Sequence, residues 1–345
     1  MSVVHTFIDF IPSIYLGAPQ DGTELSVLPG HELLKIGKAH EAVLITLLGS
    51  LVAIFLIILL SPLLIFSIPK LNLLIKPITP FLLIIISIFL ITRETNKKLT
   101  AFLVFSLAGI LGLITLNLDL KEPLLPLLTG LFGASSLIIS IKQKTQIPKQ
   151  EILSIKGIEI TKKELIAPGI FSTFFSSVLG FLPAIGSGQI AVISSTAKKI
   201  NNKQFLFSLG LINPFMMILS FLTVYTIQKG RTGSAVFLQE ILGNISLKAI
   251  VLILIISLIS GIFAFFIGIK ISKFLAKNIG KINYSKISVG VLFFLLIIVT
   301  IFSGIIGTII FLVSIATGIY CIQSNVRRIE MMGCLLLPTI VLYLV

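Results

Sequence analysis

The chain has 345 residues, 56% of them hydrophobic and only 12% Asp, Glu, Lys or Arg, so it carries far more apolar surface than a soluble core of that size can hide. Its formal net charge is +14, but the 27 Lys and Arg are scattered in short loops between apolar runs and form no stripe, which argues against a nucleic-acid partner. No Walker A loop, HExxH, CxxC or GxSxG occurs, so nothing points to an enzyme, an ATPase or a cofactor. The fold expected is all-α: a polytopic helical membrane protein of about 9–11 spanning or half-spanning segments in a single membrane domain.

The first region, 1–34, is apolar but broken by Pro and Gly, and without a basic start or a small-residue cleavage site it does not read as a signal peptide. His5 and Asp9 stand at i and i+4 and share a helical face; at membrane depth such a pair suits ion or proton coupling, and at the interface it is merely solvated. Pro12 to Gly17 open a broken segment that passes Pro29-Gly30, with His31 and Glu32 reading as interfacial, and ends at Lys35 and Lys38.

Residues 42–67 follow, 26 in a row without a charge, long enough to cross the roughly 30 Å hydrocarbon core with some tilt. Further apolar runs fall at 78–91, 99–117 and 123–141. The polar stretch 142–164 alternates apolar and charged residues and reads as a linker, either a small hairpin or a strand pair on the membrane surface. It separates two halves, 1–141 and 165–345.

In 166–197 the run Gly180 to Gln189 holds Pro183, Gly186, Ser187 and Gly188, a break that survives in hydrocarbon only where it lines a cavity or is buried in protein. A helix restarting at Ser187 aims its N-terminus at the break, which suits a carboxylate or phosphate. A kink for close packing is the plainer alternative. In the run 204–228, Asn213 precedes Pro214 and offers an amide at another break. Lys229 and Arg231 come next, Arg231 reading as an anion clamp or a snorkelling anchor. Spans at 246–269, 287–303, 305–321 and 332–345 complete the chain, with Cys321 and Cys334 as structural filler.

Placing Lys35 and Lys38, the segments 93–98, 142–164, 198–203 and 270–286, and Arg327 and Arg328 in the cytoplasm puts 21 of the 27 basic residues inside and leaves Lys70, Lys76, Lys121, Lys229, Arg231 and Lys248 outside. Both halves begin with a Gly/Pro-broken hairpin, a basic turn and a long span, and such a duplication points to a transporter site between the breaks.

The residues His5-Thr6-Phe7 to Asp9-Phe10, Pro12-Ser13-Ile14 to Ala18-Pro19, Leu28 to His31, Gly180 to Pro183, Gly186, Asn213 and the Lys229, Arg231, Gly233 pattern resemble the archaeal branch of the large membrane subunit of tripartite tricarboxylate transporters. The resemblance implies a permease for citrate-like carboxylates, partnered by a small membrane subunit or a binding protein. It also implies a further apolar hairpin ahead of the His-Thr-Phe segment, which this chain, beginning at Met1, is expected to lack. The expected function is therefore an ion-gradient-driven permease for a small organic anion. Pro12, Gly17, Pro183, Gly186, Ser187, Gly188, Gln189, Asn213 and Arg231 are the expected binding residues, with His5 and Asp9 for coupling. The alternative is a polyprenyl-phosphate translocase, which would bind an anionic lipid head group with the same helix ends.

Overall fold

The computed structural model describes residues 1–17, 25, 27–94, 97–142, 147–158, 160–180, 182–197, 200–243, 245–280 and 284–344, and no β-strand occurs among them. Three short helices, α1 (Ser2–Ile8), α2 (Phe10–Leu16) and α3 (Val27–Lys35), lead into the 37-residue α4 (Ala39–Ile75). Then come α5 (Thr79–Thr92), α6 (Lys98–Asn117) and α7 (Leu124–Leu128), which runs through a π-helical turn into α8 (Ser135–Lys142). The second half holds α9 (Lys162–Leu179), α10 (Ser187–Ala197), α11 (Asn202–Ile227), α12 (Gly233–Leu242), α13 (Leu247–Ile279), α14 (Tyr284–Gln323) and α15 (Gly333–Leu344). Six stretches among the described residues are long and apolar enough to cross a membrane, so the protein is the all-α polytopic kind that its composition predicts.

Two of those stretches fold back on themselves. Ala39–Thr92 would measure about 81 Å as one straight helix. Yet Glu41 near its start pairs with Lys203, and Arg93 just past its end donates to Ser195 Oγ. Residues 195 and 203 are joined by a chain that reaches at most about 28 Å. The ends therefore share a face, and the run reverses at the 3₁₀ turn Lys76–Ile78, where Pro77 withholds a donor. In α14, Gly304 takes φ 67°, and the Thr300 and Thr308 hydroxyls meet at 3.0 Å, a pair that a continuous helix would hold about 12 Å apart. Its arms, 284–303 and 305–323, pack Val299 against Phe311.

A membrane interior offers no water to a carbonyl whose helical donor a proline has removed. Four such i−4 carbonyls are met by side chains. Ser50 Oγ donates to Gly210 O (2.9 Å) for Pro214, and Gln204 Nε2 to Glu164 O (3.1 Å) for Pro168. Ser61 Oγ donates to Ile58 O (2.8 Å) for Pro62, and Ser303 Oγ to Glu122 O (3.0 Å) for Pro126. The first of these bonds sits where α4 and α11 cross, with Gly49 and Gly210 letting the two backbones touch.

Among its described residues the linker forms no strand pair. Residues 147–154 have no regular secondary structure and lead into a short 3₁₀ turn, Ile155–Gly157, and several of their bonds reach the α3–α4 connection. Gln150 accepts from Ala39 N (3.0 Å) and donates to Leu34 O (3.0 Å), while Glu151 N donates to Gly37 O (2.8 Å). The buried Gln150 thus caps two helix ends at once, which no partner strand could do. Lys97 Nζ donates to Ser324 O (2.8 Å), Arg327 pairs with Glu94 (2.9 Å) and Asn202 bonds Glu32, so the basic loops meet at one end of the bundle.

Candidate functional site

The hairpin of α9 and α10 is built around a break that its own residues explain. Helix α9 ends at Leu179, Pro183 lacks a donor, and Ala184 sits at φ 59°, in the left-handed region that costs an L residue roughly 1–2 kcal/mol. Gln189 then closes the turn: its Oε1 accepts from Gly186 N (2.8 Å) and its Nε2 donates to Ala184 O (3.4 Å), folding the side chain over the N-terminus of its own helix. Gln189→Met is expected to cost about 1–3 kcal/mol by leaving the Gly186 donor unmet. Thermal unfolding of the purified protein measures this, and an unchanged midpoint would show that the bond does not hold the break.

Above the break lies a cavity of about 830 Å³, within the roughly 300–1,000 Å³ usual for small-molecule sites. Its floor is Leu182, Pro183, Ala184, Gly186 and Ser187, with Thr6 and Asp9 of the first hairpin and Asn213 of α11 beside them. Its rim is made by turns at the end of the bundle away from the basic loops: Asn72, Lys76 and Thr79, then Lys229 to Ser234, with Thr339 and Tyr343 from α15. Lys76, Lys229 and Arg231 bring three cations to the lining, and Asp9 is the one acid in it among the described residues. The start of α10 adds the positive end of a helix dipole, so the field favours an anion.

Of the expected binding residues, Pro183, Gly186, Ser187, Asn213 and Arg231 line this cavity. Asn213 Nδ2 is buried and has no hydrogen-bond partner among the described residues. Arg231 donates to Gly180 O, and its backbone N bonds Ser220 Oγ (2.9 Å), which ties the rim loop to the tip of the hairpin. The remaining four lie elsewhere. Pro12 is inside the first turn of α2. Gly17 caps α2 at φ 65° so close to His31 that a Cβ would stand 2.8 Å from the ring. Gly188 packs on Leu25, and Gln189 is turned inward to the break. The pair His5 Nδ1 and Asp9 Oδ2 is formed at 2.8 Å, but only Asp9 faces the cavity, while the His5 side chain is 59% exposed.

Sequence reasoning missed Thr6, Asn72, Lys76 and Thr79. Thr6 stands three residues before Asp9 and shares its helical face, which the i, i+3 spacing already contained. Lys76 was legible only as one of few cations on the sparsely charged side. Among the described residues no group of three His, Cys, Asp or Glu gathers to hold a metal.

Comparison with known proteins places the chain in a family. A sequence profile of the Tripartite tricarboxylate transporter TctA family matches residues 1–333. The uncharacterized protein MJ1079 of Methanocaldococcus jannaschii is 31% identical, over 99% of this chain and 86% of that one. No solved structure matches. With the family match running through nearly every helix described above, the chain belongs to the tripartite tricarboxylate transporter TctA family and is a multi-pass membrane subunit of a transporter.

Proposed function

We propose that the protein is a secondary-type permease for a small carboxylate anion, driven by an ion gradient, and that the cavity is its binding site. The observation that carries this reading is the concentration of Lys76, Lys229 and Arg231 around a floor made by a broken helix and the buried amide of Asn213. With the basic loops 93–98, 142–164, 198–203 and 270–286 in the cytoplasm, the cavity opens outward, where a binding protein or small membrane subunit would deliver the substrate. Substrate oxygens would take the Ser187 hydroxyl, the Asn213 amide and the first N–H groups of α10. The rim cations would draw the anion in, their effect falling with added salt.

A polyprenyl-phosphate carrier is the second reading, and one observation favours it. An apolar groove of about 1090 Å³ runs between α4 and α9, lined by Leu56, Leu60, Ile166, Ile170 and Phe174, and can take an alkyl chain. Binding of citrate and of a polyprenyl phosphate to the purified protein separates the two. Citrate should bind, and Asn213→Ala should weaken it about 10- to 150-fold, the loss of one hydrogen bond to a charged group. Binding of the lipid phosphate alone would transfer the site to the second reading.

A further inference from the structure

Beneath the cavity floor, at the end where the basic loops meet, the fold buries a carboxyl group that the anion site does not use. The 3₁₀ turn Arg328–Met332 joins α14 to α15 and packs against α6. It places Glu330 at 0% exposure, and neither carboxyl oxygen has a hydrogen-bond partner among the described residues. Two residues on, Met332 Cε lies 4.0 Å from the position of a Cβ on Gly186, and α15 continues upward to give the cavity Leu335, Thr339 and Tyr343. On the opposite side the Glu94–Arg327 pair, with side chains 14% and 38% exposed, opens toward the basic loops. Glu330 thus stands between the site and the far end of the bundle.

The titratable groups on the elements packed around the turn are few. The loop after α5 brings Arg93 and Glu94, α6 brings Lys98, α14 brings Tyr320 and Cys321 near the turn and Lys286 at its far end, α15 brings Cys334 and Tyr343, His31 of α3 faces Arg328, and the turn itself adds Arg327 and Arg328. Arg327 is committed to Glu94, and Arg328 Nη1 donates to Ser136 Oγ (2.8 Å). No ion pair to Glu330 forms among the described residues. A carboxylate sealed from water without a partner is costly, whereas the protonated acid is not. Burial pushes Glu330 up to about 7, with Arg327 opposing and Glu94 reinforcing the shift.

We propose that Glu330 is a proton-binding site of the transport cycle, loaded from the cavity side and discharged beside the Glu94–Arg327 pair, so that rearrangement of the hairpin against this turn moves one proton with the anion. The inference rests on the permease reading, but its first test does not. Infrared spectra of the substrate-free protein in lipid nanodiscs should show a protonated carboxyl band that vanishes as pH rises through about 7, and Glu330→Gln should lack it. Because the folded state holds this proton more tightly than the unfolded chain, the wild type should lose stability relative to Glu330→Gln between about pH 4.5 and 7. Carbodiimide labelling of the wild-type Glu330 peptide, read by mass spectrometry, should decline over the same range and needs no variant. In proteoliposomes, Glu330→Gln should lose citrate accumulation driven by a pH gradient and keep citrate counterflow. A wild-type protein that exchanges no citrate sinks the permease reading, and the carboxyl band then still decides Glu330. Spectra identical in wild type and Glu330→Gln, with labelling flat across the range, overturn the proton site.

Discussion

Lys203→Met should destabilise the protein by about 3–5 kcal/mol, the usual cost of removing one partner from a buried ion pair. Lys203 Nζ lies 2.6 Å from Glu41 Oε1, with the lysine side chain 17% exposed and the glutamate side chain fully buried. Each residue sits in the first turn of a long helix, Glu41 in α4 and Lys203 in α11, so the pair fixes how the two central helices start together. Glu41 also favours the N-terminus of its own helix, and that field persists when the lysine is gone. The loss comes from taking the ammonium away from a carboxylate held out of water, and Glu41→Gln in the same chain should recover part of it. Unfolding of the wild type, both single variants and the double variant in mild detergent gives the coupling directly. Additive effects, with no recovery in the double variant, would show that the pair is a bystander.

The second large effect belongs to the crossing of those helices. A Cβ on Gly210 would collide with Thr46 O and stand 2.7 Å from Thr46 Cα, both backbone atoms that no rotamer change can move. Separating the helices to admit it would also draw Ser50 Oγ off Gly210 O, the carbonyl that Pro214 has already deprived of its helical donor. Overpacking costs about 1–3 kcal/mol and an unmet buried carbonyl about as much again, so Gly210→Ala should cost roughly 2–6 kcal/mol. Gly290→Ala serves as the control, since a Cβ there meets nothing within 4 Å and a helical Gly→Ala change gains up to about 1 kcal/mol. Equal stability of the two variants would contradict the close crossing.

The spans were legible because hydrocarbon imposes length and apolarity, and the breaks because Gly and Pro cluster where helices stop. The expected spans at 287–303 and 305–321 meet at Gly304, where the chain turns, and the break expected within Gly180 to Gln189 lies between Leu179 and Ser187. Periodicity could not say which side chains face the cavity. Asp9 and Thr6 reach it while Pro12 and Gly17 do not, because α1 packs on α11 and α13, a tertiary fact absent from local spacing. Gln189 looked like a ligand because its amide stood at a helix start, yet the same amide satisfies the donor that the break exposes. The 37-residue α4 outran the expected span ending at 67, since Pro69 and Lys70 did not stop it, and this extension carries Asn72 and Lys76 to the rim. Glu330 carried no signal in the sequence, and only packing reveals it as buried.

The claim that the cavity opens away from the basic loops and holds a carboxylate is tested most directly at Thr339, a half-buried cavity residue on α15. Both native cysteines are buried, so Thr339→Cys gives one reactive thiol. Its rate of labelling by a membrane-impermeant reagent should be measured in oriented vesicles, with and without citrate. The account predicts labelling from the side opposite the Lys-rich loops, slowed by citrate and unaffected by a neutral polyol of similar size. Labelling from the Lys-rich side alone, or a rate that no di- or tricarboxylate changes, would contradict it.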